Sequence, residues 1–165
     1  MAHSMVSEEQ AWRIEIWNRT GVVDAVGIGL CGDIADLGVT GVEKAEFIRL
    51  YQFLGVLTAS EAESIADQLL TDPITQTFHL LSRGQLAVGP GQWGVEVWFR
   101  PGVTDAVGET TLKGSRDLGV SGIASVSTGR AYLLTGTLFP ESVELICRRL
   151  LANDVIERYS YYTGT

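Results

Sequence analysis

The chain repeats itself. Laying Trp12 on Trp93 aligns about seventy residues of each copy without a gap, and about a third of the positions are identical. The best-matched stretches are Trp12–Gly55 and Trp93–Gly136. A chain of 165 residues can bury a substantial core as one domain or as two small ones sharing an interface, and the repeat favours the second description. The expected division is a tail over 1–11, a first unit over 12–81, a linker over 82–92 and a second unit over 93–162. Met1–Met5, with His3, reads as an expression remnant.

Within the first unit, Trp12 to Arg19 alternates as a strand does: Trp12, Ile14 and Ile16 on one side, Arg13, Glu15, Trp17 and Arg19 on the other. After the Thr20–Val23 turn, Asp24 stands where a helix N-cap belongs. Val26, Leu30, Ile34 and Leu37 follow at helical spacing as the expected buried stripe, and Gly38 is the expected left-handed terminator. Residues 41–55 read as two short strands around a tight reversal. In the second unit that reversal falls at Ser127-Thr128-Gly129-Arg130, with Gly129 supplying a positive φ. A second helix is expected from about Thr58 to Leu70, opened by a capping box from Thr58 with Glu61 or Ser60 with Glu63. Asp72-Pro73 ends it, and 74–81 closes the unit.

The second unit follows the same scheme. Asp105 caps its first helix, Gly119 ends it, and the stripe Val107, Thr111, Ser115, Leu118 is the weaker of the two. Pro140 sits in the first turn of its second helix, where the missing N–H costs nothing. Val143, Ile146, Cys147 and Leu150 form that helix's buried face, and 155–162 closes the unit. Ser82–Gln92, with three glycines and a proline, reads as a linker spanning at most roughly 35 Å.

The expected fold class is therefore α+β: two ferredoxin-like β-α-β-β-α-β units, each with helices on one sheet face. The other face would carry Trp17 and Trp98 together with a strand apolar on both sides, including Tyr51 and Tyr132. Such faces are too apolar to meet water. The units are expected to bury them against each other, sheet to sheet, as a pseudo-twofold pair, with these four aromatic residues as interface candidates.

Composition narrows the function. A net charge of −8, with twelve scattered basic residues, opposes nucleic-acid binding. No apolar run approaches the roughly 18 residues of a membrane span. Cys31 and Cys147 occupy non-equivalent positions and read as small buried hydrophobes in a reducing compartment. No metal, cofactor or nucleophile motif stands out, and His79 reads as a surface or interface histidine. Asp24 and Asp105 read as caps rather than an acid–base pair. Glu15 and Glu96 are expected to pair with Arg13, Arg19 or Arg100. Gly129 and Arg130, on the expected hairpin, are candidates for contact with a partner.

Several of these features together resemble a known family. They are Arg100-Pro101-Gly102-Val103, Asp105, Gly108, Asp117-Leu118-Gly119, Thr128-Gly129-Arg130 and the run Leu150-Leu151-Ala152-Asn153-Asp154-Val155-Ile156-Glu157. In this combination they resemble PurS, a small component of phosphoribosylformylglycinamidine synthase in purine biosynthesis. The first copy matches less closely. It has no glycine at the hairpin position and ends its helix Leu69-Leu70-Thr71-Asp72-Pro73. Both copies have Asp-Ala-Val-Gly where the family has Asp-Pro-x-Gly.

The resemblance implies a cytoplasmic, non-catalytic assembly module that uses no cofactor. Its implied partners are the synthetase (PurL-type) and glutaminase (PurQ-type) parts of an ATP- and glutamine-dependent C–N ligase. It would help ammonia pass between them, with further self-association open. A tandem chain of this kind is expected either as the N-terminal region of a longer synthetase or as a free-standing fused dimer. The element order, the tandem use and the turn Pro101-Gly102-Val103 also resemble ACT-type regulatory domains. Saturable micromolar binding of an amino acid, measured by calorimetry, would separate that alternative.

Overall fold

A computed structural model describes residues 10–164; Met1–Met5 and His3 lie outside the described residues. The elements run β1 (Gln10–Asn18), α1 (Ala25–Asp36), β2 (Val42–Gly55), α2 (Ala59–Ile65), β3 (Gln76–Leu81), β4 (Gln92–Phe99), α3 (Ala106–Asp117), β5 (Ile123–Gly136), α4 (Pro140–Ile146) and β6 (Glu157–Thr163). Helix α2 continues into a wide π turn over Ala66–Leu70, and α4 into one over Cys147–Leu151. The element order of the first half thus recurs in the second. Each half contributes three strands, and all six form one antiparallel sheet in the order β3-β1-β2-β5-β4-β6.

Two expectations are corrected here. The expected hairpins are absent: residues 42–55 and 123–136 are each one unbroken strand of 14 residues. Gly129 has no positive φ. A Cβ there would stand 2.6 Å from the Trp98 ring, so the glycine clears a seat for an indole instead of making a turn. Freed of the turn, β2 and β5 pair along their whole length, from Val42 opposite Gly136 to Gly55 opposite Ile123. The second correction follows from this pairing. The halves join edge to edge in one sheet and not face to face. Trp17 and Trp98 lie on the sheet face away from the helices, whereas Tyr51 and Tyr132 lie on the helix-covered face.

The sheet is staggered. β1 pairs only with the second half of β2, from Arg49 onward, and β4 only with the second half of β5, from Gly129 onward. Where β1 leaves off, the N–H of Phe47 donates to Asp24 Oδ2 at 2.8 Å, and Asp24 Oδ1 accepts from Gly27 N–H. Asp105 does the same for Thr128 and Gly108. One carboxylate thus serves a helix N-terminus and the end of a ladder, both of which would otherwise leave backbone donors unpaired.

The helix stripes hold as expected at Leu30, Ile34, Thr111 and Ser115, but each starts one position later than expected. Val26 and Val107 are exposed, and the buried positions are Gly27, Leu30, Ile34 in α1 and Gly108, Thr111, Ser115 in α3. A Cβ on Gly27 would meet the Ala45 carbonyl oxygen at 2.0 Å, so the glycine lets α1 lie directly on β2. In the weaker stripe, Thr111 and Ser115 satisfy their hydroxyls on the carbonyls four residues back. Leu118 and Leu69 are likewise exposed. Gly38 and Gly119 follow the helices at φ 89° and 93°.

The helix-side core divides into two clusters, and both mix the halves. Leu30 and Ile34 of α1 pack with Val95, Val97, Tyr132, Val143 and Ile146 of the second half. Val120 and Ile123 pack with Ile14, Phe53, Ala62 and Ile65 of the first. Each half's first helix therefore completes a core in which the other half takes part.

Candidate functional site

The sheet face away from the helices carries a small apolar floor of Ile48, Leu50, Ala131 and Leu133. These residues come from the long central strands, whose alternation sends even positions of β2 and odd positions of β5 to this side. Its roof is the segment expected to be a plain linker. Leu86 is 2 % exposed and packs on the floor, with Val88, Trp17, Trp98 and Tyr162 around it. The connection between the halves is thus a strap across the apolar face. A Cβ on Gly94 would stand 2.5 Å from the Tyr162 ring, so this glycine leaves room for Tyr162 beneath the strap.

At the centre of this face is a buried ionic cluster. Arg13, Glu15 and Glu96 are 5 %, 3 % and 5 % exposed. Arg13 donates through Nε and Nη2 to Glu15 Oε2, at 3.0 and 2.8 Å, and through Nη1 to Glu96 Oε1 at 2.7 Å. Its Nη1 also donates to the Gly84 carbonyl of the strap at 3.2 Å. Glu96 accepts further from the Tyr162 hydroxyl at 2.6 Å, from Leu86 N–H at 3.2 Å and from Trp98 Nε1 at 3.2 Å. Trp17 Nε1 donates to Glu15 at 3.4 Å. His79 stacks on Trp17, with ring centroids 5.6 Å apart, and lies 4.0 Å from Glu15 at the exposed rim.

The electrostatics follow from the geometry. Burial pushes the Glu96 carboxyl up, but Arg13, Tyr162 and Leu86 N–H outweigh it and hold the group below the usual glutamate range. Burial opposes the charge on Arg13 as well, and its two carboxylates hold it above the ordinary arginine value. Burial and the bond to Glu96 push the Tyr162 phenol far up. Glu96 is therefore an ionised acceptor with its lone pairs taken. Such a group clamps strands together and has little capacity left for proton transfer.

Of the arginines expected to pair with Glu15 and Glu96, only Arg13 does so. Arg19 donates to the Pro73 carbonyl, and Arg100 to Asp154. Beside the cluster, a polar cavity of about 530 Å³ opens between the strap at Gly84–Gln85 and the Arg100–Val103 turn, with Arg158 on its wall. The sequence names Glu15, Glu96 and Arg13 as possible partners but cannot set one arginine between both carboxylates, because β1 and β4 share no ladder. A further signal in the sequence is that Arg13 has no counterpart: the second copy has Gly94 in its place.

Arg130 lies on the opposite, helix-covered face. It pairs with Glu157 at 2.5 and 3.0 Å, donates to the Leu151 carbonyl at 2.6 Å and to the Tyr132 hydroxyl at 3.1 Å. It thereby satisfies the carbonyl at the end of the second π turn. Glu157 is held below its ordinary value chiefly by Arg130. The Arg130 guanidinium is thus bound within the chain, and Gly129 lies under Trp98 on the other face. Cys31 and Cys147 are free thiols; Cys147 is buried, which pushes its pKa up to about 12. Among the described residues, no group of three or more His, Cys, Asp or Glu is placed to hold a metal ion. No helix among them is long and apolar enough to cross a membrane.

No curated protein matches the chain. Residues 92–163, from β4 through β6, match the family model PurS: Phosphoribosylformylglycinamidine (FGAM) synthase, so the second half of the chain is PurS-like.

Proposed function

We propose that the chain is a non-catalytic assembly module of phosphoribosylformylglycinamidine synthase in de novo purine biosynthesis. Two PurS-like units, descended from one by duplication, stand in a single polypeptide about a local twofold axis. The module joins the synthetase and glutaminase parts of the ATP- and glutamine-dependent ligase and helps ammonia pass between them in the cytoplasm. It supplies no catalytic residue of its own.

The observation that carries this reading is the β2·β5 ladder, taken with the PurS match to residues 92–163. Arg49 stands opposite Arg130 in that ladder, and the two are equivalent positions in the sequence repeat. A ladder that sets a residue against its own counterpart reads the same from either unit, as an isologous dimer interface does. The internal use of Arg13, Glu15, Glu96, Arg130 and Glu157 supports a structural module over a reaction centre. Copurification with synthetase and glutaminase polypeptides, in the presence of glutamine and ADP, is the test. A stable three-part complex is expected; a chain that elutes alone under these conditions overturns the reading.

A further inference from the structure

The two arginines at the middle of the β2·β5 ladder have the same sequence context and different fates. Like charges directly opposite each other are unfavourable in a ladder, so each needs a counter-charge. Arg130 has one in Glu157. The equivalent of Glu157 in the first half is Gln76. Gln76 keeps half of that residue's job: its Oε1 accepts from Asp72 N–H at 3.0 Å, as Glu157 Oε1 accepts from Asn153 N–H at 2.8 Å. It cannot do the other half, because a neutral amide brings no charge to a guanidinium.

Arg49 is accordingly exposed, with no salt bridge among the described residues. It lines a cavity of about 370 Å³ whose walls include Phe47, Tyr51, Phe99, Val107 and Thr128. Glu157 also borders this cavity, but both its oxygens are taken by Arg130 and by Asn153 N–H. Asp105, at the nearby start of α3, is likewise occupied by Gly108 N–H, Thr128 N–H and the Thr128 hydroxyl. A guanidinium that no carboxylate holds, within hydrogen-bonding reach of the Tyr51 hydroxyl as Arg130 is of Tyr132, therefore sits beside an apolar wall, next to carboxylates that are already committed.

We infer that Arg49 and this cavity form a receptor for a carboxylate carried on a short apolar chain, which does for Arg49 what Glu157 does for Arg130. A guanidinium matches a carboxylate through two parallel N–H donors, and Phe47, Phe99 and Val107 offer contact area for the aliphatic part. The carboxylate comes either from a free small acid or from a glutamate side chain on a bound protein segment. The site stands on this chain's own geometry and does not depend on the purine-synthase reading.

The test is a titration of the full chain with butyrate and, separately, with a blocked peptide carrying one glutamate. The readout is the NMR signal of the Arg49 Nε–H, assigned by its loss in Arg49→Lys, together with the backbone amide signals of Phe47 and Thr128, which line the same cavity and remain in every variant. A saturable shift is expected. A stronger response to the peptide identifies a protein source, and a stronger response to butyrate a free acid. Gln76→Glu supplies the missing internal partner, and is expected to weaken binding by about tenfold or more while the fold is retained. Arg49→Gln, which removes the receptor without touching β3, is expected to abolish binding. The inference is overturned if the Arg49 signal moves no more than that of the exposed Arg158 with either probe. It is equally overturned if binding survives unchanged in either Gln76→Glu or Arg49→Gln.

Discussion

Arg13 on β1 and Glu96 on β4 are 2.7 Å apart, although β2 and β5 lie between their strands in the sheet. Three strand spacings of about 4.8 Å would hold them far apart on a flat sheet. They also stand at different levels along the ladders, Arg13 opposite Gln52 and Glu96 opposite Ala131. Only a strongly twisted sheet brings them together across its concave face. This contact ties the two halves through side chains as β2 and β5 tie them through backbone.

Removing Arg13 leaves two carboxylates buried without a cation. Arg13→Ala is expected to destabilise the fold by about 3–5 kcal/mol, the usual cost of breaking one side of a buried pair. Urea denaturation measures it. Glu96→Gln keeps acceptors for the strap and is expected to cost less, and a double-mutant cycle should show coupling between the two sites.

Acid should weaken the same joint. Glu96 titrates below its ordinary range in the folded state, so its stabilising contribution is present above the unfolded-state value of about 4.3. It is lost as pH falls from there through the lower folded-state value. Glu157 is shifted in the same direction and adds to the trend. Urea midpoints measured from neutral pH down to about pH 3 should fall steeply below pH 4.3. The slope should be shallower in Glu96→Gln.

Two glycines of α1 should respond oppositely to alanine. Gly27→Ala would drive a methyl group into the Ala45 carbonyl and is expected to cost about 1–3 kcal/mol. Gly29 has nothing within 4 Å of its would-be Cβ, and Gly29→Ala is expected to stabilise by roughly 0.5–1 kcal/mol. Thermal melts followed by circular dichroism separate the two.

Asp105→Ala removes the acceptor for Gly108 N–H, Thr128 N–H and the Thr128 hydroxyl together. A loss of about 2 kcal/mol is expected, at the upper end for an N-cap, because a ladder end is lost with it. Faster hydrogen exchange at Gly108 and Thr128 would locate the effect.

The thiols should differ in reactivity. Cys147 is buried with its pKa pushed up to about 12, while Cys31 is half-buried. Iodoacetamide at about pH 8 is expected to label Cys31 first, with Cys147 reacting only on unfolding. Peptide mass spectrometry reads the order.

Trp93–Gly136 and its earlier copy were legible as far as local chemistry reaches. The strand alternation at Trp12–Asn18, the aspartates before α1 and α3, Gly38 and Gly119 after them, and the Thr58/Glu61 capping box all depend on residues a few positions apart. Short range is what sequence patterns encode. The repeat was legible too, because shared ancestry or not, aligned identities need no structure to be counted.

The expected reversal at Thr128-Gly129-Arg130 shows where such reading stops. A glycine is equally suited to a turn and to a strand that must pass under an indole, and only the position of Trp98 distinguishes the two. Once that segment stayed extended, β2 and β5 could pair along all 14 residues, and one sheet replaced two. The apolar face, expected to need another sheet, was then covered by Leu86 and the strap. Local sequence pattern placed the helix starts, the outer strands and the recurrence of their order, but not that residues 42–55 and 123–136 are each one strand. Tertiary structure alone decided how the halves join and that Arg13 reaches Glu96. It also decided that Arg130 is spent on Glu157 while Arg49 is not, because these depend on strand order and sheet twist, which no local pattern carries.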